Sequence, residues 1–277
     1  MPIPRAISSI LKIGRYTLVD HLRQKSFIAM FLLGAAFVFF TRSCYHGNYL
    51  VNGLPLGAGA VAAAMAKMSF HAIALAMMIL AALLAMRAFS RDRDHGMQAC
   101  IMAKPITRTQ YVAGKIVGLW TLAFACMFVL HAIVFSVLAL QAKVFMPAFL
   151  ASSLLCSLNL LTVVAGALFL ALLLPDFVAF MTVAAVIVIS FVSHGVHALN
   201  QSQMLQMTAQ PQDGVTWTTV MYYLWPKISE LQIAAATVIN PGSSCGWSEI
   251  YAFLNISAYG LVLTGLLLWR FKRAEIL

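Results

Sequence analysis

Six apolar runs, separated by short polar islands, outline this chain. The runs lie at 26–41, within 58–89, and at 117–140, 148–174, 177–199 and 249–269. A bilayer core needs about 20 apolar residues per helical span. The pattern therefore predicts an all-α polytopic membrane protein with six transmembrane helices and a single transmembrane domain over 1–277. The first run is short for a bilayer, and the segment before it, 1–25, is amphipathic. There Ile7, Ile10, Leu11, Tyr16 and Leu18 recur near helical spacing among Arg5, Lys12, Arg15, His21, Arg23 and Lys25. Such a segment predicts an interfacial helix that enters the membrane slightly. Its long charged lead and the lack of an A-x-A site argue against a cleaved secretory signal.

Two polar islands are longer than the topology requires. The first, 91–115, holds five basic residues and two of the eight acids. It has to sit in water, where a partner can grip it. The second, 200–247, opens Gln-rich and turns at Pro211-Gln212-Asp213-Gly214. Its aromatic stretch from 217 to 239 predicts short outer helices between spans 5 and 6. Pro175-Asp176 makes a tight connection between spans 4 and 5.

Composition sharpens this outline. The chain is 62% hydrophobic and 9% charged, where a soluble domain is about 25% charged. A net charge of +10 suggests nucleic acid at first sight. The basic residues nevertheless sit at the ends of apolar runs, as membrane topology places them, so no nucleic-acid partner is expected. The N-terminal segment carries five Lys and Arg, 87–115 six and the tail three; the opposite side carries only Arg42, Lys143 and Lys227. Both termini are therefore expected in the cytoplasm and 200–247 outside; the expected membrane is a bacterial inner membrane.

Catalytic motifs are absent from the sequence. A P-loop requires Gly-x-x-x-x-Gly-Lys-Ser/Thr, but Ile116 follows Gly114-Lys115 and Thr109 stands where the first glycine would be. There is no His-Glu-x-x-His, and Gly242-Ser243-Ser244-Cys245-Gly246, though it has Gly-x-Ser-x-Gly spacing, lies in a polar loop of an all-α chain without the strand–turn–helix that makes it a catalytic motif. No catalytic, cofactor-binding or metal residue is assigned. Cys44 and Cys245 fall on the same outer face, where a disulfide is chemically allowed; two unpaired thiols are the alternative. Lys67 and His71 share a helix face and are either pathway residues, with Glu249 as a candidate pair for Lys67, or an interfacial lysine that snorkels to water. His131, Asn159, His194, His197 and Asn255 read as single interhelical hydrogen bonds. Five methionines in span 2 (65, 68, 77, 78 and 86) read as core packing before a sliding surface or a copper path.

The first island resembles a known family. Asp94-x-Gly96, the pair Ile101-Met102 and Pro105-Ile106-x-Arg108-x-x-Tyr111-x-x-Gly114-Lys115 are similar to the segment between spans 2 and 3 of ABC-2 type transporter permeases. Met97 stands where Thr is frequent in that family. The stretch Met221-Tyr222-Tyr223-Leu224-Trp225-Pro226-Lys227-Ile228 resembles the aromatic-Leu-x-Pro stretch some of these permeases carry before the last span. The resemblance implies a second permease subunit, as a homo- or heterodimer, and two P-loop ATPase subunits that bind the ATP and magnesium. It implies that 91–104 is a cytoplasmic coupling helix docked on the ATPase through Arg91, Asp92, Asp94, Gly96, Met97, Ile101, Met102, Pro105 and Arg108. Trp217, Tyr222, Tyr223, Trp225 and Pro226 would form an external gate. The expected cargo is hydrophobic or amphipathic. The rival reading is a non-transporting membrane anchor or assembly subunit that recruits soluble partners. A secondary transporter is disfavoured by the lack of embedded acids and inverted repeats.

Overall fold

The computed structural model describes residues 5–41, 50–51, 54–55, 58–94, 100, 103, 106–142, 147–200, 222, 225–239 and 246–273. In lipid every backbone N–H and C=O must be satisfied within the segment, and a helix does this locally. The described chain is accordingly a set of helices: α1 Arg5–Leu22, α2 Lys25–Thr41, α3 Ala58–Met86, α4 Ala88–Asp94, α5 Arg108–Val137, α6 Ala148–Ala171, α7 Asp176–Asn200, α8 Ile228–Thr237 and α9 Trp247–Arg273. A π-turn, Leu138–Ala142, ends α5. Between α2 and α3 a minimal antiparallel bridge pairs Leu50 with Pro55 and Val51 with Leu54.

Five helical stretches are long and apolar enough to cross a membrane: Ala63–Asp92, Arg108–Leu140, Ala148–Ala171, Asp176–His197 and Trp247–Arg273. The sixth expected span takes a different form. α1 and α2 meet at a 72° bend and are long and apolar enough to cross a membrane only when taken together. With 17 residues, α2 reaches about 26 Å, just short of the apolar core. The amphipathic α1 turns its small face inward at Ile13, Gly14 and Thr17, while Ile7 and Leu11 remain exposed.

The bundle is built around α3. Of its apolar window 67% is buried, against 22% for α7 and for α9. Phe70, Ala74, Met78, Ala81 and Ala85 are fully enclosed on one helical stripe. At its centre Phe70 stacks on His131 at 4.7 Å and meets Phe149 edge-on at 5.8 Å. Met77 and Met78 lie in the core, whereas Met68 is exposed; core packing accounts for the first two. The outward faces of α2, α7 and α9 carry large exposed apolar residues such as Leu33, Val192 and Leu261, the surface a membrane covers.

One boundary differs from expectation by more than a turn. Residues 108–116 read as the polar close of the first island, but α5 already begins at Arg108. Thr107 and Gln110 form a reciprocal capping box there: the Gln110 N–H donates to Thr107 Oγ1 at 3.3 Å, and the Thr107 N–H donates to Gln110 Oε1 at 3.1 Å. Two orphan donors are satisfied, so the helix starts in the polar stretch.

Candidate functional site

Two polar clusters, one at each end of the bundle, stand out from this apolar setting. The first is at the end where α3 and α9 finish and α5 begins. It is organised by α4, the only described helix of the expected coupling segment, over four consecutive residues that reach four different helices. Phe89 packs on Phe271 of α9 with ring centroids 5.4 Å apart. The Ser90 hydroxyl donates to Asp176 Oδ1 at the start of α7, 2.7 Å away. Arg91 pairs with Asp20 of α1 at 3.2 Å. Asp92 pairs with Lys115 of α5 at 2.7 Å and accepts a hydrogen bond from the Tyr111 hydroxyl at 2.6 Å.

This arrangement corrects the placement of Asp92. The sequence offered it to a partner, but its carboxylate is 3% exposed and Lys115 is 1% exposed. A buried carboxylate needs a cation and donors to replace water, and Lys115 with Tyr111 supply both. Arg91 is half-buried and faces α1. Arg108 is exposed, and its guanidinium donates to the Lys272 carbonyl of α9 at 3.1 Å. Asp94 ends α4. Gly96, Met97, Ile101, Met102 and Pro105 lie outside the described residues.

Glycines join α1 to the same end. A Cβ at Gly118 would come 2.6 Å from the Gly14 carbonyl oxygen, and one at Gly114 would come 2.6 Å from the Ile13 Cβ. Only glycine allows the two backbones this approach. The Gly114-Lys115 pair thus has two jobs on adjacent faces of α5: contact with α1 and neutralisation of Asp92.

The second cluster surrounds the start of α8, which is pinned among the spans by side chains that bond its backbone. Asn159 of α6 donates to the Ile228 carbonyl at 2.9 Å. Asn255 of α9 accepts from the Lys227 N–H at 3.0 Å. The Ser190 hydroxyl of α7 donates to the Pro226 carbonyl at 2.9 Å, and Gln232 donates to the His71 carbonyl of α3 at 3.0 Å. His131 bonds Ser153 between α5 and α6 at 2.9 Å. Asn159, Asn255 and His131 therefore act as interhelical hydrogen-bonding groups, as read from the sequence.

Within this frame Lys227 Nζ lies 2.8 Å from Glu230 Oε1 and 3.0 Å from the centre of the Tyr222 ring. The Tyr222 hydroxyl donates to Glu230. His197 stacks on Tyr222 at 3.9 Å, and His194 Nδ1 is 3.8 Å from Glu230. Burial lowers Lys227 to about 8 and raises Glu230 to about 7. Desolvation thus outweighs their mutual attraction. These groups line a cavity of about 520 Å³ together with Thr237, Trp247, Glu249 and Tyr251.

Tyr222, Trp225 and Pro226 of the expected gate are in this region; Trp225 donates to the Val186 carbonyl at 3.4 Å. Trp217 and Tyr223, like Cys44 and Cys245, lie outside the described residues. The sequence reading missed Lys227 and Glu230 as a site. An oppositely charged i, i+3 pair inside an aromatic stretch was the available signal. Lys67 and His71 are half-buried on α3. Glu249, a candidate partner of Lys67, accepts from the Thr237 hydroxyl at 3.0 Å and the Gly246 N–H at 2.6 Å. Among the described residues no three His, Cys, Asp or Glu side chains converge to hold a metal ion.

The sequence model of a family described as ABC-2 family transporter protein matches residues 18–276. A search of curated proteins finds no match.

Proposed function

Because the chain belongs to the ABC-2 transporter family, we propose that it is the membrane-spanning permease subunit of an ATP-driven transporter, paired with a second permease subunit and with separate P-loop ATPases. ATP and magnesium are bound by those ATPases. In this reading the chain lies in a bacterial inner membrane with both termini and 91–104 in the cytoplasm. The ATPase grips 91–104 as a coupling helix, and its closure on ATP displaces α4. The start of α8 with Tyr222, Trp225 and Pro226 acts as the external gate, and the cargo is hydrophobic or amphipathic.

The observation that carries this reading is the set of four contacts made by Phe89, Ser90, Arg91 and Asp92. A loop that served topology alone needs solvated charges. This one sends consecutive side chains to α9, α7, α1 and α5, so a displacement of α4 is delivered to four helices at once. Partner contact falls to Asp94 and the residues that follow it, since Asp92 is engaged within the chain.

Purification of the tagged chain from its host in mild detergent, followed by mass spectrometry, tests the class. A near-stoichiometric P-loop ATPase is the expected companion. Its reproducible absence from intact, folded chain would favour an anchor instead. Gly96→Trp or Asp94→Lys should abolish stimulation of ATPase activity by the permease while the spans remain folded. Full stimulation in both variants would remove the docking assignment.

A further inference from the structure

A cleft of about 500 Å³ opens between α2 and the C-terminal end of α3, beside the α1–α2 bend. Its floor is apolar, formed by Phe27, Leu83 and Leu84, and its rim is cationic, formed by Lys25, Arg87 and Arg91. The rim is at the depth where α3 ends and α4 begins, which is the level of headgroups for a span of this length. The next turns of α2 expose Leu32 and Leu33, so the cleft faces the hydrocarbon that surrounds the bundle.

The charge balance identifies the occupant. Among the described residues no acid lines the cleft, and Arg91 alone of its cations is paired, with Asp20 at 3.2 Å. His21 and Gln24 bond each other across 2.6 Å at the bend. Lys25 and Arg87 are exposed, and among the described residues neither has an ion-pair partner. Two cations without a counterion, set above an apolar slot and beside lipid, match a molecule with an anionic head and a hydrocarbon tail. Basic pockets between spanning helices bind anionic lipid heads by this combination.

We propose that this cleft is a binding site for a phospholipid with an anionic headgroup, its phosphate between Lys25 and Arg87 and one acyl chain against Phe27 and Leu84. The lipid would bridge α2 to α3 beside the 72° bend between α1 and α2. The site touches the expected coupling segment only through Arg91, and it does not depend on which compartment the basic end faces.

Native mass spectrometry of the full chain, released from mild detergent after exchange into phosphatidylglycerol or phosphatidylcholine, tests it. The native chain should retain phosphatidylglycerol in preference to phosphatidylcholine. Lys25→Gln and Arg87→Gln should each lower that retention roughly fivefold, since a Lys or Arg near an anionic lipid contributes on the order of 1 kcal/mol. Leu83→Trp fills the slot without changing charge and should displace the lipid as well, which keeps the test open if the charge variants fold poorly. Equal retention of the two lipids, or phosphatidylglycerol retention unchanged in Arg87→Gln and Leu83→Trp, would overturn the assignment.

Discussion

Two of the ion pairs among the described residues are built differently. Asp92 and Lys115 come from separate helices, are sealed from water and are completed by Tyr111. Lys227 and Glu230 lie within one turn at the start of α8, border a cavity of about 520 Å³ and are each pushed by burial toward neutrality. The first pair can exist only if α4 and α5 are in register, so it fixes a tertiary relationship. The second survives any movement of α8 as a unit, because both partners travel together. A closed pair between elements acts as a fastener. A local pair beside open space is left free to titrate and to meet a ligand.

Breaking the fastener should have the largest effect. Lys115→Met leaves a buried carboxylate without its cation and should cost about 3–5 kcal/mol, read as a fall in unfolding midpoint in detergent. Asp92→Leu combined with Lys115→Met should recover much of that loss, because an apolar pair needs no counter-charge. A double variant no better than the single would mean that Asp92 is held by something other than Lys115. Gly118→Leu attacks the same end through shape. Its side chain would meet the Gly14 carbonyl, and overpacking should cost about 1–3 kcal/mol. Faster proteolysis within α1 is the readout, and unchanged protection would show that α1 is not seated on α5.

The Lys227–Glu230 pair calls for a pH experiment. Glu230 is neutral below about 7 and Lys227 remains cationic up to about 8. Rising pH therefore carries the pair from net positive toward net negative. His194 and His197 on α7 and Glu249 and Tyr251 on α9 share the cavity. Because burial raises Glu230 above its ordinary 4.5, it weighs against the fold as pH climbs from about 4.5 to about 7. Glu230→Gln should thus gain stability relative to the native chain across that window and hold a constant difference above it. A difference independent of pH would show that Glu230 is an ordinary carboxylate. The smallest effect is expected at Lys67, half-buried near the opposite end of α3 from α4. If it snorkels to the interface, Lys67→Gln should change stability by no more than about 0.5 kcal/mol, and a loss of transport alone would make it a pathway residue.

Span positions were readable because lipid imposes one rule on every residue it touches. The start of α5 was also readable, since Thr107-x-x-Gln110 is a capping box in the sequence, but the charges around it drew the reading toward loop. The inward turn of Asp92 was not readable. Arg91, Asp92 and Asp94 look alike in a linear sequence, and only the position of Lys115, more than twenty residues on, selects which acid is buried. The cluster at the start of α8 was obscure for a similar reason. His194 and His197 are one turn apart on α7, and α8 brings Lys227 and Glu230 to them from beyond a long polar stretch.

The four contacts of α4 carry a mechanical consequence. Each one removes a freedom of relative motion between helices at the basic end, and the glycine seat of α1 on α5 removes another. A bundle stiffened at one end behaves as a lever set. In the proposed transporter, displacement entering at α4 would pass along the helices to the end where α8 is fastened by neutral hydrogen bonds and apolar packing and a cavity leaves room to yield. On that reading, compliance would be concentrated at the opposite end of the bundle from the place where force is applied.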